Sequence, residues 1–157
     1  MQTAERVEPK VGERFPTLTL LDVGHKTVRV PDDFAGQTVV LSWYPFAFSP
    51  ICTEEFTGFT QVDAQFRHLN ATVVAVSCDH WYTTEAYRRS LGATYPFLSD
   101  WDRTEAQKLG IFHDKKRRPD RHIYILDKSG VLRWHRDYSA GGCPTLDDFR
   151  DVLQQLA

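Results

Sequence analysis

The feature that most constrains this chain is a pair of apolar strand-like segments with one amphipathic segment between them. Residues 38–44 (TVVLSWY) and 72–77 (TVVAVS) are rich in β-branched and aromatic residues, which predicts two buried strands. Two strands joined by a helix lie parallel, with a right-handed crossover. An α/β core therefore follows if the intervening segment is helical. Apolar residues recur there at spacings of three and four, which predicts an amphipathic helix: Phe56, Phe59, Val62, Phe66 and Leu69.

Further elements are predicted on both sides of this unit. They imply an α/β fold of the thioredoxin-like type, with a central mixed sheet flanked by helices in three layers and an added N-terminal hairpin. A chain of 157 residues fits one such domain, over residues 1–157. The predicted elements are a hairpin over 17–22 and 28–30, helices over 84–91 and 104–109, a hairpin over 122–127 and 131–137, and a last helix from Thr145 with Asp148 placed for a capping box.

Charge and cysteine content exclude several classes of protein. A net charge of −2 gives no general attraction to nucleic acid, and the basic run at residues 115–118 (KKRR) is typical of an exposed loop, here within residues 113–121. No apolar run approaches the ~20 residues that cross a bilayer. Residues 1–12 are polar, unlike a secretory signal, and three cysteines are too few for a disulfide framework. We therefore expect a cytoplasmic protein.

A cysteine at a predicted helix start is the main candidate for chemistry. Ser49 and Pro50 are typical of an N-cap and a first helical residue. Cys52 then falls in the first turn, where unpaired N–H groups and the helix dipole stabilise a thiolate. This turn follows the end of a parallel strand, where open α/β sheets tend to place their sites. Cys52 also lies on the apolar stripe, so a small buried core residue is the alternative interpretation.

Local motifs resemble those of one family. Pro45, Ser49 and Cys52 match the peroxiredoxin motif Pro-x-x-x-(Thr/Ser)-x-x-Cys. Glu55, three residues after the cysteine, is also common in that family. The residues before Cys52 (PFAFS) are similar to those of the bacterial one-cysteine alkyl hydroperoxide reductase E group.

The resemblance continues over about residues 10–137. Residues 72–81 (TVVAVSCDHW) are similar to the family's strand and aspartate loop, and residues 95–100 (YPFLSD) to a later segment. Arg121 fits the position of the family's active-site arginine. The chain is therefore identified as resembling the peroxiredoxins, the alkyl hydroperoxide reductase and thiol-specific antioxidant family.

The resemblance implies an oxidoreductase that reduces hydrogen peroxide and organic hydroperoxides without a cofactor or a metal. Cys52 would attack the peroxide and become a sulfenic acid, which requires that the peroxide reach the sulfur. Arg121 would stabilise the thiolate and the peroxide, although a solvated loop charge is its alternative interpretation. Ser49 would donate a hydrogen bond to the peroxide or the sulfur, and Pro45 would shield the thiol. Glu55 either orients an arginine or favours the helix N-terminus.

The sulfenic acid must then be reduced. Cys78 and Cys143 are both expected at the sheet edge that carries Cys52, but neither occupies a usual family position for a resolving cysteine. The helix position five after Cys52 is Thr57. We therefore expect a one-cysteine cycle, with thioredoxin, a glutaredoxin-like protein or a small thiol as the reductant partner. Cys143, and after it Cys78, remain alternatives as internal resolving cysteines.

Two other functions compete with a peroxidase. A peroxide-responsive redox sensor or chaperone-like binding protein would use the same cysteine without turnover. A thiol-disulfide oxidoreductase would need a Cys-x-x-Cys motif, but position 55 is Glu55. The resemblance also implies a homodimer, for which Trp81, Tyr82 and Trp101, expected in loops, are candidate interface residues.

Overall fold

A computed structural model describes residues 5–157, so expectations for residues 1–4 lie outside it. A mixed sheet of seven strands forms the centre, in the order β2-β1-β5-β4-β3-β8-β9. The predicted thioredoxin-like α/β arrangement is confirmed, and the N-terminal hairpin extends the sheet because β1 pairs antiparallel with β5. The strands are β1 Leu18–Leu21, β2 Thr27–Val30, β3 Thr38–Trp43, β4 Ala71–Ser77, β5 Phe97–Ser99, β6 Phe112–His113, β7 Arg118–Pro119, β8 His122–Leu126 and β9 Leu132–Asp137.

The two central strands are the ones with the strongest apolar pattern. β3 and β4 pair in parallel from Thr38 opposite Ala71 to Trp43 opposite Val76. Every residue of β3 is buried, as expected for a strand covered on both faces. On its other side β3 pairs antiparallel with β8, and Trp43 lies opposite His122. The end of β3 and the start of β8 therefore meet at one edge of the sheet.

Helices cover both faces of the sheet. One apolar cluster contains residues of α1, α2, α3 and α5, including Phe56, Phe66, Tyr87 and Leu153. The other contains Ala106 of α4 with residues of the N-terminal hairpin. None of the described helices is long and apolar enough to cross a membrane. The helices are α1 Pro50–Gln61, α2 Asp63–His68, α3 Trp81–Leu91, α4 Thr104–Lys108 and α5 Arg150–Leu156.

Two helix predictions are wrong in detail. The apolar stripe that begins at Phe56 spans two helices, because the backbone at Val62 leaves the helical region between α1 and α2. Helix α3 begins three residues earlier than predicted, since His80 acts as its N-cap and its Nδ1 accepts a hydrogen bond from the Tyr82 N–H. Trp81 and Tyr82 therefore lie in the first turn of α3 and not in a loop.

Other boundaries also differ from the sequence prediction. The three-residue strand β5 was not predicted, because so short a segment carries no periodicity of its own. The expected loop over 113–121 contains three of the four residues of the short ladder between β6 and β7. At the C-terminus Thr145 and Asp148 form the predicted capping box. This box opens a 3-10 turn, Leu146–Asp148, and α5 begins only at Arg150.

Candidate active site

Cys52 lies in the first turn of α1, as predicted. Ser49 precedes the helix with an extended backbone, and its carbonyl accepts a hydrogen bond from the Thr53 N–H at 2.9 Å. Its side chain does not cap the helix. The Ser49 hydroxyl donates instead to the Phe46 carbonyl at 2.9 Å, which closes the turn between β3 and α1. Ser49 is thus the N-cap by position, while its hydroxyl holds the preceding turn.

Arg121 brings a guanidinium to this cysteine. The residue directly precedes β8, whose start lies beside the end of β3. Its Nη2 donates to the Cys52 sulfur at 3.0 Å. Only 7% of Arg121 is exposed, so the interpretation as a solvated loop charge is wrong.

A buried carboxylate orients that guanidinium. Arg121 Nη1 donates to Glu55 Oε1 at 2.5 Å, and the Ser42 hydroxyl donates to Glu55 Oε2 at 2.5 Å. Glu55 is fully buried one helical turn after Cys52, so of its two proposed roles the structure supports orientation of an arginine. Burial raises the pKa of Glu55 to about 7, against the opposing effects of Arg121 and Ser42.

The charges of the site depend on one another. Burial acts to lower the pKa of Arg121, but Glu55 and Cys52 outweigh it, so the pKa is raised above its ordinary value. The guanidinium therefore stays charged while lying between a sulfur and a carboxyl group. A fixed cation in a buried site stabilises negative charge on sulfur and on an attacking oxygen.

The sulfur is closed off in this conformation. Cys52 has 0% exposure and belongs to the same apolar cluster as Tyr44 and Phe56. Cys52 is thus packed as a buried core residue, which agrees with the alternative interpretation. The accessible sulfur that the peroxidase prediction requires is not found in this conformation. Packing alone does not account for the guanidinium, since a charge is seldom buried without a functional or pairing partner. Peroxide can reach this sulfur only when part of its cover moves.

The turn formed by residues 45–49 leads into the helix that carries Cys52, and its Ala47 packs against the apolar cluster that contains this cysteine. Pro45 follows β3 and is partly buried. Asp79 lies beneath the turn, where its Oδ2 accepts hydrogen bonds from the Ala47 N–H and the Ser77 hydroxyl, both at 2.8 Å. Phe48 has a φ of +67°, an uncommon conformation for a residue with a side chain. The turn is thus held from below and strained at one position.

Cys78 lies apart from this chemistry. Its Sγ donates to Asp100 Oδ2 at 3.8 Å. Burial and the Asp100 carboxylate raise its pKa far above the ordinary value. Cys78 therefore stays a thiol at neutral pH.

Cys143 lies beside α1. It lines a cavity of about 660 Å³ together with Thr53, Glu54 and Thr57. Burial raises its pKa to about 11, and Glu54 and Glu55 act in the same direction. All three cysteines are free thiols, and the two outside the Arg121 contact are both held in the protonated form.

Two contributors to the site were missed from the sequence. Ser42 interrupts the apolar run of β3 after Leu41, and that break in the pattern is a usable signal of a buried hydrogen bond. Asp79 was noted only as part of a family-like loop, and nothing local indicates that it supports Ala47. Among residues 5–157 the structure contains no group of three or more His, Cys, Asp or Glu side chains that could hold a metal ion.

Comparison with known proteins places this geometry in context. The model of the AhpC/TSA family matches residues 11–135. A peroxiredoxin of Hyperthermus butylicus is 31% identical over 155 residues, which cover 94% of this chain and 66% of the relative. Peroxiredoxin 1 of Caldanaerobacter subterraneus is 31% identical over 153 residues, 93% of this chain and 71% of the relative. The chain thus spans about two thirds of the length of these relatives.

Solved structures agree on the fold. Reduced Prx3 of Vibrio vulnificus, in complex with hydrogen peroxide, superposes with a TM-score of 0.83 at 23% identity, covering 92% of this chain and 98% of that one. AhpC of Enterococcus faecalis superposes with a TM-score of 0.79 at 21% identity, covering 94% and 92%. Membership of the one-cysteine alkyl hydroperoxide reductase E group stays a prediction. On the family model, the relatives and the shared fold, this chain belongs to the AhpC/TSA family, the peroxiredoxins.

Proposed function

We propose that this chain is a thiol-dependent peroxidase that reduces hydrogen peroxide and organic hydroperoxides at Cys52. The observation that carries the proposal is the 3.0 Å contact from the Arg121 guanidinium to the Cys52 sulfur, with Glu55 fixing the same guanidinium. A buried cation aimed at a thiol stabilises the thiolate, which is the nucleophilic form of cysteine. The membership in a peroxidase family supports the same reaction.

The oxidation of Cys52 balances with the peroxide as the oxidant and needs no other reactant. Ionisation of the Cys52 thiol releases one proton to solvent. The thiolate attacks the terminal peroxide oxygen and the O–O bond breaks, which gives a sulfenic acid and a hydroxide or alkoxide. That anion takes up one proton and leaves as water or an alcohol. Negative charge grows on the departing oxygen, where Arg121 supplies a fixed donor. The Ser49 hydroxyl adds a second donor once it turns from the Phe46 carbonyl. Pro45 restricts water near the thiol.

Peroxide entry requires the turn over residues 45–49 to move. Phe46 and Phe48 are 43% and 56% exposed, so displacing them breaks few buried contacts, one of which is that of Phe48 with the Tyr87 ring, at 5.0 Å between centroids. The Ser49 N–H to Phe46 carbonyl hydrogen bond is long, at 3.4 Å. Few buried contacts and weak backbone bonds are the properties of segments that open locally. These observations support opening at this turn before the chemical step.

An external thiol then restores the enzyme. One thiol condenses with the sulfenic acid to a mixed disulfide and releases water, and a second thiol cleaves that disulfide to return Cys52. The reductant is thioredoxin, a glutaredoxin-like protein or a small thiol, in a reducing compartment such as the cytoplasm. The high pKa values of Cys78 and Cys143 support this one-cysteine cycle, because a protonated thiol attacks sulfenic sulfur slowly.

The test is stopped-flow oxidation of the reduced protein by hydrogen peroxide. The unmodified chain and the double variant Cys78→Ser, Cys143→Ser should consume one equivalent of peroxide at the same rate. Cys52→Ser should fall to the rate of free thiols, several orders of magnitude lower. The double variant is the matched control, because it loses two thiols and keeps the Arg121 contact. Equal consumption by Cys52→Ser contradicts the proposal.

Turnover separates the enzyme from a peroxide sensor. With a thiol reductant in excess, a peroxidase consumes many equivalents of peroxide, whereas a sensor stops after one.

We further propose a homodimer, since large apolar side chains are exposed near the site. Three of them are Phe48, Ile51 and Tyr82.

A further inference from the structure

A second cavity borders the active-site turn. Its volume is about 340 Å³, and Pro45 and Phe46 form one wall. Arg103, from the turn before α4, and Arg117, from the turn between β6 and β7, line it as well. Arg117, which the peroxidase reaction does not use, is the one residue of the basic run at 115–118 that lines this cavity.

The two guanidinium groups have no carboxylate partner within residues 5–157. Neither Arg103 nor Arg117 makes a salt bridge or a side-chain hydrogen bond to another described residue. The neighbouring Arg118, by contrast, pairs with Asp120 at 2.8 Å. Two cations that share one small cavity repel each other, and an anion placed between them removes that cost. The planar guanidinium also suits carboxylate and phosphate groups, which it can bind through two hydrogen bonds.

Both arginines are positioned by the fold. The Cζ of Arg103 lies 5.3 Å from the centre of the Phe112 ring, a cation–π contact that holds the guanidinium beside the β6–β7 ladder. The Arg117 N–H donates to the His113 carbonyl at 2.8 Å. Their φ angles are +67° and +59°, in the left-handed region that residues with side chains seldom adopt. Backbone conformations of this kind persist where the surrounding structure enforces them.

Of the remaining polar groups at the cavity, His80 favours an anion and the Asp79 carboxylate opposes one. His80 lines it, and because its Nδ1 accepts from the Tyr82 N–H, the neutral ring carries its proton on Nε2, a donor. Asp79 is the one acidic lining residue, and its Oδ2 is already bonded to Ala47 and Ser77. Asp100, close to Arg103, accepts from the Ala106 N–H at 2.8 Å.

The cavity also has an apolar side. Trp101 and Phe46, 51% and 43% exposed, both line it, and the His80 ring meets Trp101 edge-on with centroids 5.1 Å apart. A volume of about 340 Å³ is at the small end of ligand sites, so the occupant is a small molecule. One side of the cavity therefore suits an acidic group, and the other suits a flat or apolar part.

We propose that this cavity is a binding site for a small organic anion whose carboxylate or phosphate group lies between Arg103 and Arg117. The site is distinct from the Cys52 centre but shares the turn at Pro45 and Phe46 with it. The proposal does not rest on the peroxidase activity. It stands on one half-buried and one exposed guanidinium without carboxylate partners among residues 5–157, a further donor and an apolar wall around one cavity.

Binding is measured by calorimetry and by tryptophan fluorescence, with inorganic phosphate and citrate as separate probes at constant ionic strength. Trp101 reports directly, because it lines the cavity. We expect dissociation constants in the millimolar range or below for at least one probe. The probe that binds more tightly identifies the phosphate or the carboxylate as the preferred group.

The variants Arg103→Gln and Arg117→Gln should each weaken that binding about tenfold or more, since each removes a charged hydrogen-bond donor. Arg117 is on an exposed turn, so its replacement tests the site even if Arg103→Gln fails to fold. The matched control is Arg29→Gln, an exposed arginine on the outer strand β2, which should bind as the unmodified chain does. The proposal is overturned if neither probe binds, or if Arg29→Gln weakens binding as much as the cavity variants.

Discussion

Arg121 donates a hydrogen bond to the sulfur of Cys52 over 3.0 Å, although 69 positions separate the two residues in the chain. The contact follows from sheet register, because β8 begins where β3 ends and α1 starts one short turn later. The cation and the thiol thus come from two independent parts of the sequence. Their meeting depends on the fold and not on a local motif.

The first prediction concerns the shape of this cation. Arg121→Lys keeps one positive charge but cannot bridge Cys52 and Glu55, because an ammonium lacks the planar fork of a guanidinium. We expect the second-order rate constant for peroxide to fall by about 10²–10³. Stopped-flow oxidation of the reduced protein measures it. Arg118→Gln, which removes the adjacent arginine that pairs with Asp120, should keep the original rate. A rate constant for Arg121→Lys within a factor of about two of the original would refute a role for the planar guanidinium and its two hydrogen bonds.

The second prediction concerns the pH dependence of stability at Glu55. Burial raises the pKa of Glu55 from 4.5 to about 7, so folding favours its neutral form. The stability that this group contributes is complete below about pH 4.5 and is lost as the pH rises through about 7. Glu55→Gln stays neutral and keeps a similar shape. Its free energy of unfolding should improve relative to the unmodified chain, on the order of 3 kcal/mol, between about pH 4.5 and pH 8.

Denaturant unfolding at several pH values measures this difference. Asp100 also has a raised pKa, but it is present in both proteins and cancels in the comparison. Ser42→Ala is the matched variant: it keeps the carboxyl group but removes a hydrogen bond that lowers its pKa, so its stability should still fall as the pH rises. Parallel pH profiles for Glu55→Gln and the unmodified chain would contradict the raised pKa.

Most of the framework of this site could be predicted from sequence. The apolar runs of β3 and β4 and the position of Ser49 before Pro50 locate Cys52 at a helix start beyond a parallel strand. The antiparallel return through β8 brings Arg121 to the same edge. These predictions succeed because they rest on hydrophobic pattern and chain connectivity, which act over whole elements.

The details that depend on single side chains could not be predicted. The Ser49 hydroxyl bonds the Phe46 carbonyl and not the helix, a choice between two acceptable partners that a spacing rule does not resolve. The closed state of Cys52 depends on how Tyr44 and Phe56 pack around it. Both follow from three-dimensional packing, on which one sequence gives no direct information.

The third prediction tests the hydroxyl of Ser49. If it turns to donate to the peroxide, Ser49→Ala should lower the rate of peroxide oxidation about tenfold or more, whereas Ser49→Thr keeps the donor and most of the rate. Both variants are measured by stopped flow, and their unfolding midpoints are compared. A hydroxyl that serves only to hold Phe46 would lower stability in Ser49→Ala and leave the rate unchanged, which would remove Ser49 from the reaction.

The fourth prediction concerns the product of one turnover. Mass analysis after one equivalent of peroxide should find one added oxygen, trapped by dimedone at Cys52, in the unmodified chain and in Cys78→Ser, Cys143→Ser alike. Both proteins should also turn over with a small thiol. Loss of two hydrogens in the unmodified chain would instead indicate an internal disulfide. The single variants Cys78→Ser and Cys143→Ser would then identify the resolving cysteine.

A stack of three rings on the opposite face of the sheet leads to the last prediction. His135 lies parallel to Tyr124 with centroids 4.3 Å apart, and its Nε2 is 2.9 Å from His122 Nδ1. One nitrogen of this contact must donate and the other accept, so the two rings cannot both be protonated without losing the hydrogen bond. Burial and the neighbouring His122 lower the pKa of His135 to about 4, while Asp137 opposes them.

Folding therefore favours the neutral form of His135. The stability that this neutral ring contributes is present above about pH 6.5 and is lost as the pH falls through about 4. His135→Gln removes this proton uptake. The variant should be less stable than the unmodified chain at about pH 7.5, because the ring stack is lost, and the difference should shrink steadily toward about pH 4. Denaturant unfolding across this range measures it, with His68→Gln, an exposed histidine of α2, as the control for loss of one imidazole. A constant difference across the range would mean that the ring contributes by packing alone and that its protonation is not coupled to folding.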